Sequence, residues 1–171
     1  MSEQVYEGKH VVVLSRDGWE FVERKKATEA VAVIAETDDG RVILTEQFRR
    51  PVNARVIDWP AGLIGDEDGS DDDPAATARR ELEEETGFTC EQIERVAGGP
   101  TSPGITSEIV HFFRATGLRR KDDGGGVEGE DITVHQVPRA DIEHWLQRKR
   151  GEGVLIDLKL WGGLYFLSKS T

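Results

Sequence analysis

A stretch of sixteen residues, 73–88, constrains the fold of this chain more than any other segment. Asp73 is a residue type that caps helix N-termini, and Pro74 follows at the first helical position, where its missing N–H costs nothing. Gly87 suits the left-handed conformation with which many helices end. The sequence therefore predicts a helix over residues 74–86.

Three carboxylates project from one side of this predicted helix. Glu81, Glu84 and Glu85 stand at positions i, i+3 and i+4, which places them on adjacent turns. Like charges at this spacing destabilise a helix by roughly 0.2–0.5 kcal/mol per pair, and a hard divalent cation bound by their oxygens would reverse that penalty. A solvated acidic surface would carry the same pattern. The helix by itself therefore leaves two alternatives, a Mg²⁺ or Mn²⁺ platform and an ordinary surface.

The same residues resemble the second half of the Nudix box, whose pattern is G-x5-E-x7-R-E-U-x-E-E-x-G-U, where U is aliphatic or bulky. The matching residues are Arg80, Glu81, Leu82, Glu84, Glu85, Gly87 and Phe88. The first half departs from the pattern, because Asp72 stands where the family has glutamate and the opening glycine aligns best with Gly62. That alignment makes the intervening loop four residues longer than the pattern allows.

The resemblance to the Nudix family implies a metal site on this helix. The implied ligands of Mg²⁺ or Mn²⁺ are Glu81, Glu84, Glu85 and the carbonyl of Ala61, with Glu84 assisting in catalysis. Arg80 and Asp72 are implied to lie behind these ligands, where Arg80 orients the carboxylates.

Several flanking segments resemble the ADP-ribose pyrophosphatase branch of the family, namely residues 46–49, 59–62, 102–108 and the strands around Trp19. The resemblance implies that Arg49 clamps a phosphate with its planar fork of donors, and that Glu108 lies near the terminal ribose or a metal. It also implies that Trp19 stacks on a purine, with Arg24 beside it. These two residues would serve the site of the partner in a homodimer. Without the resemblance, a tryptophan in a strand is more often a core residue.

A second acidic segment lies in the glycine-rich stretch 121–131. The resemblance implies that one of Glu128 and Glu130 is the catalytic base and the other an extra metal ligand, and the sequence does not decide between them. The glycines at 124–126 would permit the loop to swing in when substrate binds. Solvated acids on a loop would have the same sequence.

The composition narrows the range of partners. The formal net charge of -11 argues against nucleic acid or an anionic membrane, and it agrees with a cation between the protein and an anionic substrate. A single cysteine, Cys90, fits a reducing compartment. The first ten residues contain no apolar targeting segment. We expect a cytoplasmic protein with a small-molecule partner.

The hydrophobic pattern predicts an α/β (α+β) fold, a mixed sheet between helices, preceded by an antiparallel strand extension. Residues 1–36 are assigned to the extension, which would contribute to the dimer, and residues 37–171 to the catalytic core. Strands are predicted at 10–14, 19–25, 29–36, 41–47, 55–59, 93–97, 108–115 and 131–137. Further helices are predicted at 139–148 and 155–167.

These observations predict a hydrolase that cuts the pyrophosphate of ADP-ribose or a related nucleoside diphosphate sugar and releases a nucleoside monophosphate and a sugar phosphate. The alternatives are a pyrophosphatase for GDP-mannose, NADH or FAD, and a Nudix module that senses a nucleotide without cutting it. The retained carboxylates of the box favour catalysis over sensing.

Overall fold

The computed structural model describes residues 2–27, 29–65, 73–127 and 129–169. Its strands are β1 (Glu3–Glu7), β2 (Val11–Arg16), β3 (Trp19–Arg24), β4 (Glu29–Glu36), β5 (Arg41–Arg49), β6 (Ala54–Asp58), β7 (Ala61–Leu63), β8 (Phe88–Pro100), β9 (Ile109–Arg120), β10 (Ile132–Pro138) and β11 (Leu155–Ile156). Its helices are α1 (Pro74–Thr86), α2 (Ile142–Gly151) and α3 (Leu158–Ser168). Among these described residues, no helix is long and apolar enough to cross a membrane.

The strands form two separate sheets. β1, β2 and β3 make a small antiparallel sheet, and the two-residue turn Asp17–Gly18, with φ of 53° and 81°, joins its last two strands. The larger sheet has the order β11-β6-β5-β4-β9-β8, with β10 paired to β5 and β7 paired to β4. It is mixed, because β4 is parallel to β9 and β6 is parallel to β11. The change from one sheet to the other falls between Arg24 and Glu29, ahead of the predicted boundary at residue 36.

Strand β4 explains why helices cover both faces of the larger sheet. Its residues alternate between two apolar clusters. One cluster includes Val31 and Val33 with Ala78 and Leu82 of α1. The other includes Ala32 and Ile34 with Trp59, Leu146 of α2 and Leu160 of α3. The predicted sandwich of helices around a mixed sheet, with an antiparallel extension before it, is confirmed.

Most predicted elements are present, although several have different ends and three short strands were not predicted. Helix α1 has its predicted bounds, because the Asp73 carboxylate accepts the Ala75 N–H at 3.1 Å and Gly87 ends the helix with φ of 71°. The prediction that the last helix starts at residue 155 is wrong. Leu155 and Ile156 pair with β6, and Asp157 then caps α3 by accepting the Lys159 N–H at 2.9 Å. Strands β1, β7 and β11 were not predicted.

Glu46 ties three strands to α2 through one buried carboxylate. Its oxygens lie 2.6 Å from Arg55 Nε on β6, 2.9 Å from His135 Nε2 on β10 and 3.0 Å from Lys149 Nζ on α2. Burial alone would raise the pKa of Glu46, but hydrogen bonds from Lys149, His135 and Arg55 outweigh it and lower the pKa to about 2. The charged form of Glu46 therefore stabilises the fold.

We predict that Glu46→Gln lowers the free energy of unfolding at neutral pH by about 3 kcal/mol, because it removes the buried charge of the cluster and leaves Arg55 and Lys149 with only their exposed partners, Asp131 and Glu152. The folded-state pKa lies below the ordinary 4.5, so this stabilisation is complete above pH 4.5 and is lost as the pH falls towards 2. Between pH 4.5 and 2, Glu46→Gln should therefore lose less of its free energy of unfolding than the wild type. Urea unfolding across this pH range measures both effects.

Glu152→Gln is the matched control. Glu152 is exposed and lies 3.6 Å from the same Lys149, so its replacement should change the free energy of unfolding by less than about 0.5 kcal/mol. Equal destabilisation by the two substitutions, or an unaltered acid profile in Glu46→Gln, would contradict the assignment.

Candidate active site

Two carboxylates of α1 are buried against the backbone of β7. Glu81 and Glu85 are only 8% and 7% exposed. The Glu85 Oε2 accepts the Ala61 N–H at 3.0 Å. A Cβ built on Gly62 would lie 1.9 Å from the Glu81 carboxyl carbon, so only a glycine leaves room for this carboxylate. The backbone of β7 therefore packs directly against the two carboxylates of α1.

Arg80 lies between two of the box carboxylates. One guanidinium nitrogen donates to Glu84 Oε2 at 2.9 Å, and the other lies 2.8 Å from Glu81 Oε1. Because a planar guanidinium presents its donors in a fixed fork, this contact sets the orientation of both acids. Arg80 thus contacts two of the carboxylates that it was predicted to orient.

The electrostatics of Glu85 fit a cation site. The pKa of Glu85 is raised to about 8, chiefly by burial, and nearby Glu81 and Glu130 also raise it, whereas the Ala61 N–H and Arg49 lower it. A buried, closely spaced pair of carboxylates is costly without a positive charge nearby, and hard divalent cations prefer carboxylate oxygens. The carboxylate donors of α1 therefore suit such a cation.

The carboxylates of Glu81, Glu84 and Glu85 do not converge on a single point. Across residues 2–27, 29–65, 73–127 and 129–169, no three acidic, cysteine or histidine side chains are grouped closely enough to hold a metal ion. Arg80 engages Glu81 and Glu84, while the Ala61 N–H engages Glu85. Asp72 and Glu128, both expected near the site, lie outside the described residues.

A cleft of about 600 Å³ opens beside these acids, and we call it the first lobe. Ala61, Gly62 and Leu63 line it, together with Arg24, Arg49 and Glu108. Arg24 donates to Glu108 Oε2 from Nε at 3.0 Å and from a terminal nitrogen at 2.7 Å. The structure thus brings three of the predicted substrate-binding residues, Arg24, Arg49 and Glu108, together in one chain. Arg24, which was expected to serve the site of a partner, lines the cleft of its own chain.

A second lobe of about 640 Å³ continues from the first. The two lobes share Glu108, Val110, Asp157 and Lys159, and the second is further lined by residues 97–101, Leu158, Phe112 and Phe166. Sequence reasoning missed this part of the site. Asp157 carried a helix-capping signal, but no pattern in the sequence indicated that β11 would bring it to the cleft.

Trp19 lies away from both lobes. Its indole N–H donates to the Gly104 carbonyl at 3.2 Å, and 64% of the residue is exposed. It borders a separate cavity of about 310 Å³ with Pro103 and Phe21. The 102–107 loop is also joined to β3, because the Val22 N–H donates to Ile105 at 2.8 Å. Within its own chain, Trp19 therefore packs on this loop rather than on the cleft.

The glycine-rich segment packs on the C-terminus of α1. The N–H groups of Gly125 and Gly126 donate to the carbonyls of Glu85 and Glu84 at 2.9 and 3.0 Å. Gly124, Gly125 and Gly126 have φ of 64°, 111° and 84°, which only glycine adopts at little cost. A Cβ on Gly124 would lie 2.3 Å from the Thr86 carbonyl carbon. The segment was expected to act as a hinge, and in this structure its N–H groups donate to the last backbone carbonyls of α1.

This packing places Glu130 near the box. The Glu130 Oε2 accepts the Val127 N–H at 3.1 Å, and its charge contributes to the raised pKa of Glu85. Glu130, one of the two acids predicted as base or additional ligand, therefore lies close enough to influence Glu85, and Glu128 lies outside the described residues.

Comparison with known proteins agrees with this geometry. The family model of the NUDIX domain matches residues 26–155. A methanol dehydrogenase activator from Bacillus methanolicus is 36% identical over 157 residues, covering 87% of this chain and 82% of the relative. An ADP-ribose pyrophosphatase from Bacillus subtilis (strain 168) is 38% identical over 148 residues, covering 79% and 77%. A GDP-mannose pyrophosphatase from Cronobacter sakazakii (strain ATCC BAA-894) is 31% identical over 159 residues, covering 85% and 78%.

The fold comparison gives the same class. A solved structure of an ADP compounds hydrolase superposes with a TM-score of 0.67 at 22% identity, covering 86% of this chain and 80% of that one. The chain therefore belongs to the Nudix family and is a Nudix hydrolase. Within that family it is similar to the ADP-ribose pyrophosphatases, as the flanking motifs predicted.

We predict that Gly62→Ala displaces the Glu81 carboxylate, because its Cβ would overlap that group. The free energy of unfolding should fall by about 1–3 kcal/mol, the usual cost of overpacking. Thermal unfolding and a crystal structure of the variant measure the two effects.

Gly99→Ala is the control, since a Cβ at Gly99 meets no atom within 4 Å. It should leave the thermal midpoint unchanged or slightly raised. Equal midpoints for the two variants, with Glu81 unmoved, would contradict the close approach between β7 and α1.

Proposed function

We propose that this Nudix hydrolase cuts the pyrophosphate of ADP-ribose, or of a closely related nucleoside diphosphate sugar, in a reaction that depends on Mg²⁺ or Mn²⁺. The products are a nucleoside monophosphate and a sugar phosphate. The observation that carries the proposal is the first lobe, where Ala61 and Gly62, which contact buried Glu85 and Glu81, line a cleft that also presents Arg24 and Arg49. The arginines suit the phosphates of the substrate, and the acids behind β7 suit a cation that would neutralise them.

In this proposal, different residues bind the substrate, hold the cation and accept the proton. Arg49 and Arg24 donate hydrogen bonds to phosphate oxygens and hold the pyrophosphate against β7. Glu81, Glu84 and Glu85, with the Ala61 carbonyl, would hold the cation, which neutralises charge on the phosphate oxygens and lowers the pKa of the attacking water. Arg80 keeps the carboxylates oriented. Glu130 accepts the proton of that water at its carboxylate, and Glu128 is the other candidate for this role.

ADP-ribose is preferred over other substrates on two grounds. The flanking residues that resemble the ADP-ribose pyrophosphatase branch, including Arg49 and Glu108, lie together in the cleft. The relatives include proteins named ADP-ribose pyrophosphatase and others named GDP-mannose pyrophosphatase. GDP-mannose is therefore the main alternative, and NADH and FAD are others. A sensing module without catalysis is disfavoured, since the three glutamates in the second half of the box, Glu81, Glu84 and Glu85, are all present.

A homodimer is part of this proposal. The small sheet of β1–β3 leaves every residue of β1 exposed, and Trp19 is exposed at its far end. Docking this sheet on a second copy would bury it and would carry Trp19 towards the partner's cleft, where it would stack on the purine. The same contact would bring Arg24 of each chain close to the interface.

The experiment that tests the function is a turnover panel with Mg²⁺ and Mn²⁺ over ADP-ribose, GDP-mannose, NADH, FAD and nucleoside triphosphates. Release of AMP from ADP-ribose, without turnover of triphosphates, is the expected result. Substrates left uncut in the presence of either metal, although they bind, would favour the sensing module.

Within this panel, we predict that Glu85→Gln abolishes turnover while the thermal midpoint stays unchanged or rises. The amide keeps an acceptor for the Ala61 N–H and removes a carboxyl group whose burial raises its pKa to about 8 and therefore costs stability at neutral pH. Glu83→Gln, on the same helix and paired with Lys121 away from the cleft, is the matched control and should remain active. Full activity of Glu85→Gln with added Mg²⁺ would remove Glu85 from the metal site.

For Trp19, we predict that Trp19→Ala raises KM for ADP-ribose much more than it lowers the thermal midpoint. Mixing Trp19→Ala with Glu85→Gln chains tests whether the residue serves the partner. A mixed dimer contains one site with intact carboxylates and an intact tryptophan from the other chain, so a fraction of the activity with normal KM should return. No recovery on mixing, or a large loss of stability at normal KM, would place Trp19 in the structural core of its own chain.

A further inference from the structure

The second lobe has a charged triad at its junction with the first. Lys159 Nζ lies 2.8 Å from Asp58 Oδ2 and 2.7 Å from Asp157 Oδ2. Asp58 is buried on β6, whereas the side chains of Asp157 and Lys159 are 30% and 21% exposed. Both of these residues line both lobes. The triad therefore presents one carboxylate and one ammonium group to any ligand that extends from the first lobe into the second.

The triad retains hydrogen-bonding capacity towards a ligand. An ammonium group has three N–H donors, and Asp58 and Asp157 accept two of those of Lys159. Asp157 accepts the Lys159 N–H with Oδ1 and the ammonium with Oδ2, and each oxygen has a further lone pair. Packing alone does not require this arrangement, because burying ionic groups costs free energy that apolar residues would not. A functional use of the triad accounts for that cost.

The chemistry of the second lobe favours a sugar over a base. A nucleoside diphosphate sugar has one organic group on each side of the pyrophosphate, and the second lobe adjoins the lobe assigned to the pyrophosphate. A planar base needs a flat slot, but the two aromatic rings here, Phe112 and Phe166, are tilted by 46° with centroids only 6.1 Å apart. Sugar hydroxyls both donate and accept, which matches a carboxylate beside an ammonium group.

We propose that the second lobe binds the sugar of the nucleoside diphosphate sugar, and that Asp157 and Lys159 determine which sugar is accepted by hydrogen bonding to its hydroxyls. Asp58 is a positioning residue that holds Lys159 in place. This inference rests on the proposed function, since it assigns one end of that substrate. It adds Asp58 of β6, Asp157 at the N-cap of α3 and Lys159 of α3 to a site otherwise built from α1, β3, β5, β7 and Glu108.

The test uses two substitutions at Asp157 that differ only in helix capping. Asp157→Ser keeps a side-chain oxygen that can cap α3 and removes the carboxylate, whereas Asp157→Ala removes both. Steady-state kinetics compare ADP-ribose with ADP-glucose, which share a base, and ADP-glucose with GDP-glucose, which share a sugar. Thermal unfolding of each variant separates a loss of capping from a loss of recognition.

Both variants should raise KM for the preferred ADP-sugar about tenfold or more, as expected for a lost charged hydrogen bond, with kcat little changed. The ratio of kcat/KM between ADP-ribose and ADP-glucose should shift, and the ratio between ADP-glucose and GDP-glucose should not. Only Asp157→Ala should also lower the thermal midpoint. A shift in the base ratio instead, or unchanged ratios in both comparisons, would overturn the proposal.

Measurements on the wild-type protein distinguish a failure of the proposed function from a failure of the sugar site. If the wild type turns over none of these substrates, calorimetric titration with ADP-ribose and ADP-glucose replaces kinetics, because recognition of the sugar does not require hydrolysis. Weaker binding to Asp157→Ser, with an altered preference between the two sugars, would still support the second lobe. Equal affinities for wild type and variant would overturn it.

Discussion

The contact between α1 and β7 is the constraint on which the rest of the site depends. Two glutamates one helical turn apart are buried against a three-residue strand, and one of them occupies the space that a side chain at Gly62 would fill. The contact gives Glu81 and Glu85 a dry environment, which raises the cost of their charges and hence their attraction for a cation. It also places the acids at the edge of the first lobe, since β7 lines that cleft. A looser approach would leave solvated acids of the ordinary surface kind.

The glycine-rich segment makes the other end of α1 part of the same assembly. By donating to the carbonyls of Glu84 and Glu85, Gly125 and Gly126 satisfy backbone groups that would otherwise be without partners at a buried helix end. The chain then turns so that Glu130 approaches the acids whose backbone it has just capped. The proposed base and the proposed metal ligands are therefore positioned by one set of backbone contacts, which explains how acids far apart in sequence are brought to the same site.

The sequence predicted the elements that have strong local signals. Helix α1 was predicted to the residue because Asp73, Pro74 and Gly87 define its ends, and β4 was predicted because β-branched and small apolar residues run without interruption through it. The failures have a common physical origin. β7 and β11 have only three and two residues, and they exist because partners distant in sequence pair with them. Such strands carry no periodicity of their own, and the second lobe, which depends on β11 and on the cap at Asp157, could not be inferred without them.

The division of the cleft separates the reaction from the choice of substrate. The carboxylates belong to α1, whereas Arg24 comes from the N-terminal sheet and Asp157 from the segment that leads into α3. The 102–107 loop joins these parts, because it bonds to β3 and leads directly into Glu108, which holds Arg24. A substitution in the loop, in β3 or at the start of α3 would therefore alter the residues that contact the two organic groups of the substrate, and it would leave the carboxylates of α1 in place. An acidic protein with a net charge of -11 nevertheless presents Arg24, Arg49 and Lys159 to this cleft. Asp58, Glu108 and Asp157 line the same cleft and pair with Lys159 and Arg24, so the cleft is nearly balanced in charge and less acidic than the protein as a whole. A bound cation would add the positive charge that attracts an anionic substrate.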